Sequence, residues 1–231
     1  MNKQQNLQQV ISQIPSGASI MVSGFGSPGT PFTLIDELLN QGQKNLTLIK
    51  NDANESSVGI GKLIENGQVA KLITTHIGLN KTAIEMMNQN AIEVEFYPQG
   101  ILAEKIRIAG SGCFGFLTDI GLDTEITDES QLIDWQGKKL KIESALNADY
   151  ALIHANQSDM YGNLIYSATA INFSPLMAMA ADNVIVETPD IVAAGRLKPE
   201  SIHTPSVFVT SVVKLDILST DYEIMERHFE R

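Results

Sequence analysis

Between residues 18 and 109 the sequence alternates short apolar runs with amphipathic segments, and this alternation limits the possible fold more than any other feature. Strands are predicted over "ASIMVS" (18–23), "NLTLIK" (45–50), "AKLITT" (70–75) and "IEVEFY" (92–97). Helical spacing of apolar residues predicts helices over 3–14, 31–41, 57–66, 80–89 and 100–109. Strands that alternate with helices indicate βαβ units, in which a mostly parallel sheet is covered by helices on both faces.

The pattern changes after Gly110. The stretch "GSGCFGFLTDIGLDTEIT" contains several glycines and has no helical period, while "KKLKIESAL" and "DYALIHA" are expected to be strands of a mixed sheet. A helix over 172–181 and strands over 183–188 and 206–213 are predicted beyond them. We therefore expect one α/β domain over residues 1–231, with a glycine-rich, mixed-sheet insertion at about 110–145.

Charge and cysteine content exclude several classes of protein. The formal net charge is -11, with 16 basic against 27 acidic residues, so we expect no nucleic-acid partner. Cys113 is the only cysteine, which indicates a reducing cytoplasm, and a buried apolar thiol is expected there. No apolar run has the length of a membrane span, so no membrane partner is expected. The four histidines lack ligands at metal-binding spacing, and no metal site is predicted.

A glycine-rich turn follows the first predicted strand. Gly24, Gly26 and Gly29 have the spacing G-x-G-x-x-G before a helix, a geometry that offers backbone N–H groups to an anion. Asp52 follows the second strand, where a dinucleotide site holds its ribose. Pro28 and the proline that opens the helix make this turn stiffer than a dinucleotide motif, so a tight turn without a ligand is an alternative. An NAD(P)-dependent oxidoreductase and a sugar-phosphate isomerase-like protein both remain candidate functions.

Several sequence blocks carry a more specific resemblance. They are "GFGSPGTP", "KND", "YPQGILAEKIRIAGSG", "GNLIYSATAINFSPLMAMAA" and "IHTPSVFV". In this order they resemble the alpha (A) subunit of family I 3-oxoacid CoA-transferases, of the acetate/acetoacetate type. The resemblance implies a fold related to ribose-phosphate isomerases and sugar-phosphate deaminases.

The resemblance also implies an activity. Such enzymes move CoA from an acyl-CoA to a free carboxylic acid through a glutamyl-CoA thioester, and the nucleophilic glutamate belongs to the beta subunit. The implied partners are therefore a beta subunit, in an α2β2 assembly, and the acyl-CoA and carboxylic acid substrates. No cofactor is implied, because the CoA thioester is itself a substrate.

Individual residues match positions of the family's site. Gln99 matches a glutamine that donates to the developing oxyanion, and Asn51 matches a residue that contacts the substrate carboxylate. The family's next residue is a second asparagine, whereas this chain has Asp52, whose charge would repel a carboxylate unless it is paired. The glycine turn would line the acyl-CoA cleft.

The segment "IENG" (64–67) imitates the family's nucleophile motif. Glu65 lies in the last turn of a predicted helix that Asn66 and Gly67 end. We therefore interpret "IENG" as a helix end and do not assign Glu65 a catalytic role.

Overall fold

A computed structural model describes residues 2–124, 131–216, 219 and 221. Its strands are β1 (Ser19–Val22), β2 (Leu46–Ile49), β3 (Val69–Thr74), β4 (Glu93–Phe96), β5 (Gly115–Thr118), β6 (Leu132–Trp135), β7 (Lys138–Ser144), β8 (Ala148–His154), β9 (Gln157–Asp159), β10 (Leu164–Ile165), β11 (Ala181–Thr188), β12 (Ile191–Val192) and β13 (Ser211–Lys214). The helices are α1 (Leu7–Ile11), α2 (Phe32–Gln41), α3 (Ile60–Glu65), α4 (Lys81–Asn88), α5 (Gln99–Gly110) and α6 (Ser174–Ala180). Short 3-10 turns occupy Ala168–Ile171, Pro199–Ser201 and Ser206–Phe208.

Seven strands form a parallel sheet in the order β13-β11-β8-β1-β2-β3-β4. Alternate residues of β1 face opposite sides: Ile20 packs in one apolar cluster and Met21 in the other. The first cluster includes residues of α1 to α4, and the second includes residues of α5 and α6. The expected α/β fold, with a parallel sheet between two helical layers, is thus confirmed.

The strand order reverses at β1. From this strand the chain builds β2, β3 and β4 on one side, and β8, β11 and β13 later fill the other side. In open parallel sheets the crevice at such a reversal, at the carboxyl ends of the strands, is where ligands bind. The loops after β1, β2, β3 and β4 all lie at this edge.

Most predicted elements in the first half are present, with small shifts at their ends. The helix predicted over 3–14 is shorter, because α1 begins only after Asn6, whose side chain caps it by accepting from Gln9 N. The residues before it run beside β13, where Gln4 forms a bridge with Val212. In the part of the chain that the structure describes, we find no helix with the length and hydropathy of a membrane span.

The insertion differs from its expected arrangement. Strands β7 and β8 do not share a mixed sheet: β7 pairs antiparallel with β5 and β6, and β8 lies between β1 and β11 in the parallel sheet. Buried charges join this small sheet to α5, since Glu143 of β7 accepts from Lys105 of α5 at 2.9 Å. Lys141 of β7 also lies 2.8 Å from Glu143. Lys105 and Glu143 are 38 positions apart, so no local pattern in the sequence indicates that they meet.

Two further expectations are wrong. The strand predicted over 206–213 begins only at Ser211, because the residues after Pro205 form a 3-10 turn that leaves Val207 78% exposed. Cys113 is exposed, not buried, because it lies in the turn after α5 beside Phe114, which is 95% exposed.

Candidate active site

The candidate residues meet at the carboxyl edge of β1 to β4. A cleft of about 200 Å³ opens there between the glycine turn, the loop after β2 and the loop after β3. Two of the predicted site residues, Gly26 and Asp52, line it together with His76, whereas Asn51 and Gln99 lie outside its lining. A larger cavity of about 750 Å³ lies beside α1, α2 and β13, but none of the residues predicted for the site lines it.

Two glycines of the turn are required by close packing. A Cβ added to Gly24 would lie 2.5 Å from Thr30 Oγ1, and one added to Gly29 would lie 2.6 Å from the carbonyl oxygen of Ala170. Both residues also have positive φ, of 104° and 76°. Gly29 therefore lets the turn pack against the 3-10 turn Ala168–Ile171.

Gly29→Ala is expected to lower the free energy of unfolding by about 2 kcal/mol, because the side chain adds a backbone clash to an unfavourable φ. Gly42→Ala is the matched control: Gly42 has the same φ of 76° but has nothing within 4 Å of an added Cβ. Chemical denaturation of both variants measures the difference. If both variants lost the same unfolding free energy, the close approach of Gly29 to Ala170 would not contribute to the effect.

Gly26 is held by side chains from the loop after β2 and by Thr30 of the turn itself. Its N–H donates to Asp52 Oδ2 at 2.8 Å, and its carbonyl accepts from Asn54 Nδ2 at 2.8 Å and from Thr30 Oγ1 at 2.7 Å. Nothing lies within 4 Å of a Cβ built on this residue. Gly26 is therefore the glycine of the turn that borders open space.

A buried ion pair lies beneath the turn. Lys50 is 0% exposed and Asp52 is 5% exposed, and Lys50 Nζ lies 3.3 Å from Asp52 Oδ1. Asp52 also accepts from the backbone N–H groups of Gly26 and Asn54 and from Asn51 Nδ2. The pairing that the sequence left open is thus present, and Asp52 does not offer an unpaired charge to an incoming carboxylate.

Opposing effects act on the two ionisable groups. Burial would raise the pKa of Asp52, but the charge of Lys50 and the N–H donors outweigh burial and hold this pKa below its ordinary value. Burial lowers the pKa of Lys50, and Asp52 offsets part of that effect. The charge of Lys50 and the hydrogen bonds to the carboxylate therefore favour an ionised Asp52 at neutral pH.

The lowered pKa of Asp52 predicts acid sensitivity. A carboxyl whose pKa is lower in the folded than in the unfolded protein stabilises the fold above its ordinary pKa, and this contribution disappears as the pH falls through the folded pKa. The stability advantage of the wild type over Lys50→Met/Asp52→Asn should therefore shrink between about pH 5 and about pH 2. Urea denaturation across this pH range measures the difference in unfolding free energy between the two proteins. A difference that does not change with pH would show that the pKa of Asp52 is not lowered in the folded protein.

The positive end of α2 already holds a carboxylate. Glu187, fully buried at the end of β11, accepts from Leu34 N at 2.9 Å through Oε2, and its Oε1 lies 2.9 Å from His154 Nδ1. A dinucleotide would place its pyrophosphate at this helix end. Because Glu187 occupies the position and Asp52 binds the turn itself, the site does not support the oxidoreductase alternative.

Asn51 and Gln99 meet from different elements. Gln99 begins α5, and its Nε2 donates to Asn51 Oδ1 at 2.7 Å. Asn51 is only 1% exposed, whereas Gln99 is exposed at the edge of the sheet. The structure therefore places Gln99 where it is open to a ligand, with Asn51 behind it. Their contacts with substrate stay predictions.

Sequence reasoning missed three buried groups beside the site: Lys50, His154 and Glu187. Each lies at or just after the end of an apolar strand, a position where a polar residue is a usable signal for a site.

Glu65, in contrast, ends α3 and accepts from Ser57 N at 2.8 Å, which supports the helix-end interpretation. Within the described ranges no group of His, Cys, Asp or Glu could hold a metal ion.

Comparison with known proteins gives consistent relatives. The chain is 43% identical over 210 residues to the probable coenzyme A transferase subunit alpha of Bacillus subtilis, covering 90% of this chain and 92% of the relative. It is 41% identical over 211 residues to the acetate CoA-transferase subunit alpha of Escherichia coli, covering 91% and 96%. Identity to the acetoacetyl-CoA:acetate/butyrate CoA transferase alpha subunit of Clostridium acetobutylicum is 46% over 198 residues, covering 86% and 91%.

Solved structures share the fold at lower identity. An acyl-CoA transferase from Escherichia coli O157:H7 superposes with a TM-score of 0.81 at 24% identity, over 92% of this chain and 47% of that longer chain. Glutaconate CoA-transferase from Acidaminococcus fermentans gives a TM-score of 0.80 at 22% identity, over 92% of this chain and 75% of the other. The family model described as Coenzyme A transferase matches residues 4–215. With that match and relatives above 40% identity over most of its length, the chain belongs to the coenzyme A transferase family.

Proposed function

We propose that this chain is the α subunit of an enzyme that transfers CoA from an acyl-CoA to a free carboxylic acid. The observation that carries the proposal is the exposed Gln99 amide, anchored on the buried Asn51 at the carboxyl edge of the sheet. An amide N–H fixed at such an edge is suited to stabilise an oxyanion. Membership of the family and relatives named as alpha subunits support the same role.

In the proposed reaction a glutamate carboxylate of a β subunit attacks the acyl-CoA carbonyl and expels CoA thiolate, leaving a mixed anhydride. The thiolate then attacks the glutamyl carbonyl, which releases the donor acid and leaves a glutamyl-CoA thioester. The acceptor carboxylate repeats the two steps in reverse order. Negative charge develops on a carbonyl oxygen at each attack, and Gln99 is proposed to donate to that oxygen.

The contacts of the acidic side chains near the site agree with a nucleophile that belongs to the partner. Asp52 is occupied by Lys50 and by N–H donors, and Glu65 is bound to Ser57. Glu55 lines the cleft and is exposed, so it is the residue that must be tested. Glu55→Gln in the assembled enzyme is expected to retain transfer activity.

The proposed assembly is α2β2, in which residues 1–231 fold as one domain and CoA enters as a substrate, without a cofactor. A cytoplasmic location stays a prediction based on the single cysteine.

Purification of the tagged chain from its source cells tests the partnership with a β subunit. We expect a second chain of similar size with a Ser-Glu-Asn-Gly type motif to co-purify, and the pair to transfer CoA. Recovery of the chain alone, already active or wholly inactive, would contradict the proposal.

A further inference from the structure

A continuous series of side-chain hydrogen bonds leads from the buried ion pair to Gln99. Lys50 contacts Asp52, Asn51 Nδ2 donates to Asp52 Oδ2 at 3.2 Å, and Gln99 Nε2 donates to Asn51 Oδ1 at 2.7 Å. The first three of these side chains are buried, and Gln99 ends the series at the exposed edge. The proposed mechanism uses Gln99, with Asn51 as its anchor, and leaves Lys50 and Asp52 without a role.

The direction of these hydrogen bonds follows from the charge on Asp52. An ionised carboxylate only accepts hydrogen bonds, so Asn51 must turn its Nδ2 toward Asp52. This leaves Asn51 Oδ1 on the other side, where it needs a donor. Gln99 must therefore turn Nε2, and not Oε1, toward Asn51.

The opposite direction is excluded by the same groups. If both amides were reversed, Asn51 Oδ1 would face Asp52 Oδ2 in a buried site, where two acceptors repel each other without solvent to separate them. Lys50, together with the backbone N–H groups of Gly26 and Asn54, keeps Asp52 in the form that imposes the direction.

We infer that Asp52, paired with Lys50, is a positioning residue that sets the orientation of the Gln99 amide. The inference rests on the proposed function, in which the second N–H of Gln99 Nε2 donates to the oxyanion. Among the described residues the Gln99 side chain makes no hydrogen bond besides the one to Asn51. Reversal of the amide would put a carbonyl oxygen in the position of that donor.

A double-mutant cycle in the assembled enzyme tests this role. Lys50→Met/Asp52→Asn removes both charges together, which avoids an unpaired buried lysine, and gives residue 52 an amide that accepts either direction. We expect kcat to fall by about 10-fold, while KM for the carboxylate changes by less than about 3-fold. In the Gln99→Ala background the same pair of substitutions should change kcat by less than about 2-fold.

Equal losses of kcat in both backgrounds would overturn the inference, because a general effect on the loop does not depend on Gln99. Glu104→Gln/Arg107→Met is the matched control: it removes an exposed ion pair of α5 and should leave kcat unchanged.

A second readout does not require activity. The carboxyl introduced by Gln99→Glu faces Asn51 Oδ1 and must stay protonated to donate, so its pKa should be higher with Asp52 present than in Lys50→Met/Asp52→Asn. NMR titration of labelled glutamate in the assembled enzyme measures this difference. Equal pKa values would overturn the inference even if the wild type transferred CoA, and a raised pKa would support it even if the wild type did not.

Discussion

Replacing Asp52 with alanine is expected to lower the free energy of unfolding by about 3–5 kcal/mol. The substitution leaves the ammonium group of Lys50 in a fully buried position without its counter-ion. It also removes the acceptor of Gly26 N and Asn54 N, so the glycine turn keeps only the bond from Asn54 Nδ2 to the Gly26 carbonyl as its side-chain hydrogen bond from Asn54. Chemical denaturation at one fixed protein concentration measures the loss.

Two controls separate this effect from the loss of any ion pair. Glu104→Ala removes an exposed pair with Arg107 on α5 and should cost less than about 1 kcal/mol. Lys50→Met/Asp52→Asn removes both buried charges and should cost less than Asp52→Ala alone. If Asp52→Ala cost no more than Glu104→Ala, Lys50 and Asp52 would not form the buried pair described here.

Gln99→Ala in the assembled enzyme is expected to lower kcat by about 10²-fold or more, the scale for removal of one oxyanion donor. The loss should fall on kcat, because the charge that Gln99 stabilises develops only during the attack on the carbonyl carbon. Steady-state kinetics with a saturating acyl-CoA and a varied carboxylate separate kcat from KM.

The matched control is Gln89→Ala, a substitution of an exposed glutamine at the end of α4. It lies at the opposite edge of the sheet, because α4 runs back from the carboxyl ends of the strands to their amino ends. The kcat of the Gln89→Ala enzyme should equal that of the wild type. An unchanged kcat in Gln99→Ala would remove Gln99 from the mechanism.

The first half of the fold was predictable because its information is local. Strands β1 to β3 are largely apolar, β4 alternates acidic and apolar residues, and the helices between them carry one apolar face each, so both periods are visible in the sequence. The insertion was not predictable in this way. The segments that form β7 and β8 look alike as strands, but which sheet each joins depends on partners elsewhere in the chain, such as Lys105 for Glu143.

The site was predictable in its residues but not in its connections. The resemblance drew attention to Asn51, Asp52 and Gln99, and the structure brings these three side chains into one series of hydrogen bonds. Lys50 was missed as a partner because a fully buried lysine is rare, and the contact of Glu187 with Leu34 because the two residues are 153 positions apart.

We propose that this chain supplies the oxyanion side of a transferase whose covalent intermediate forms on its partner. The most direct measurement is the intact mass of both chains after the assembled enzyme is mixed with an acyl-CoA and no acceptor acid. We predict that the β chain gains the mass of one CoA thioester, that this chain is unmodified, and that a free carboxylic acid removes the added mass. A CoA adduct on this chain, or none on either chain, would show that the covalent intermediate does not form on the partner.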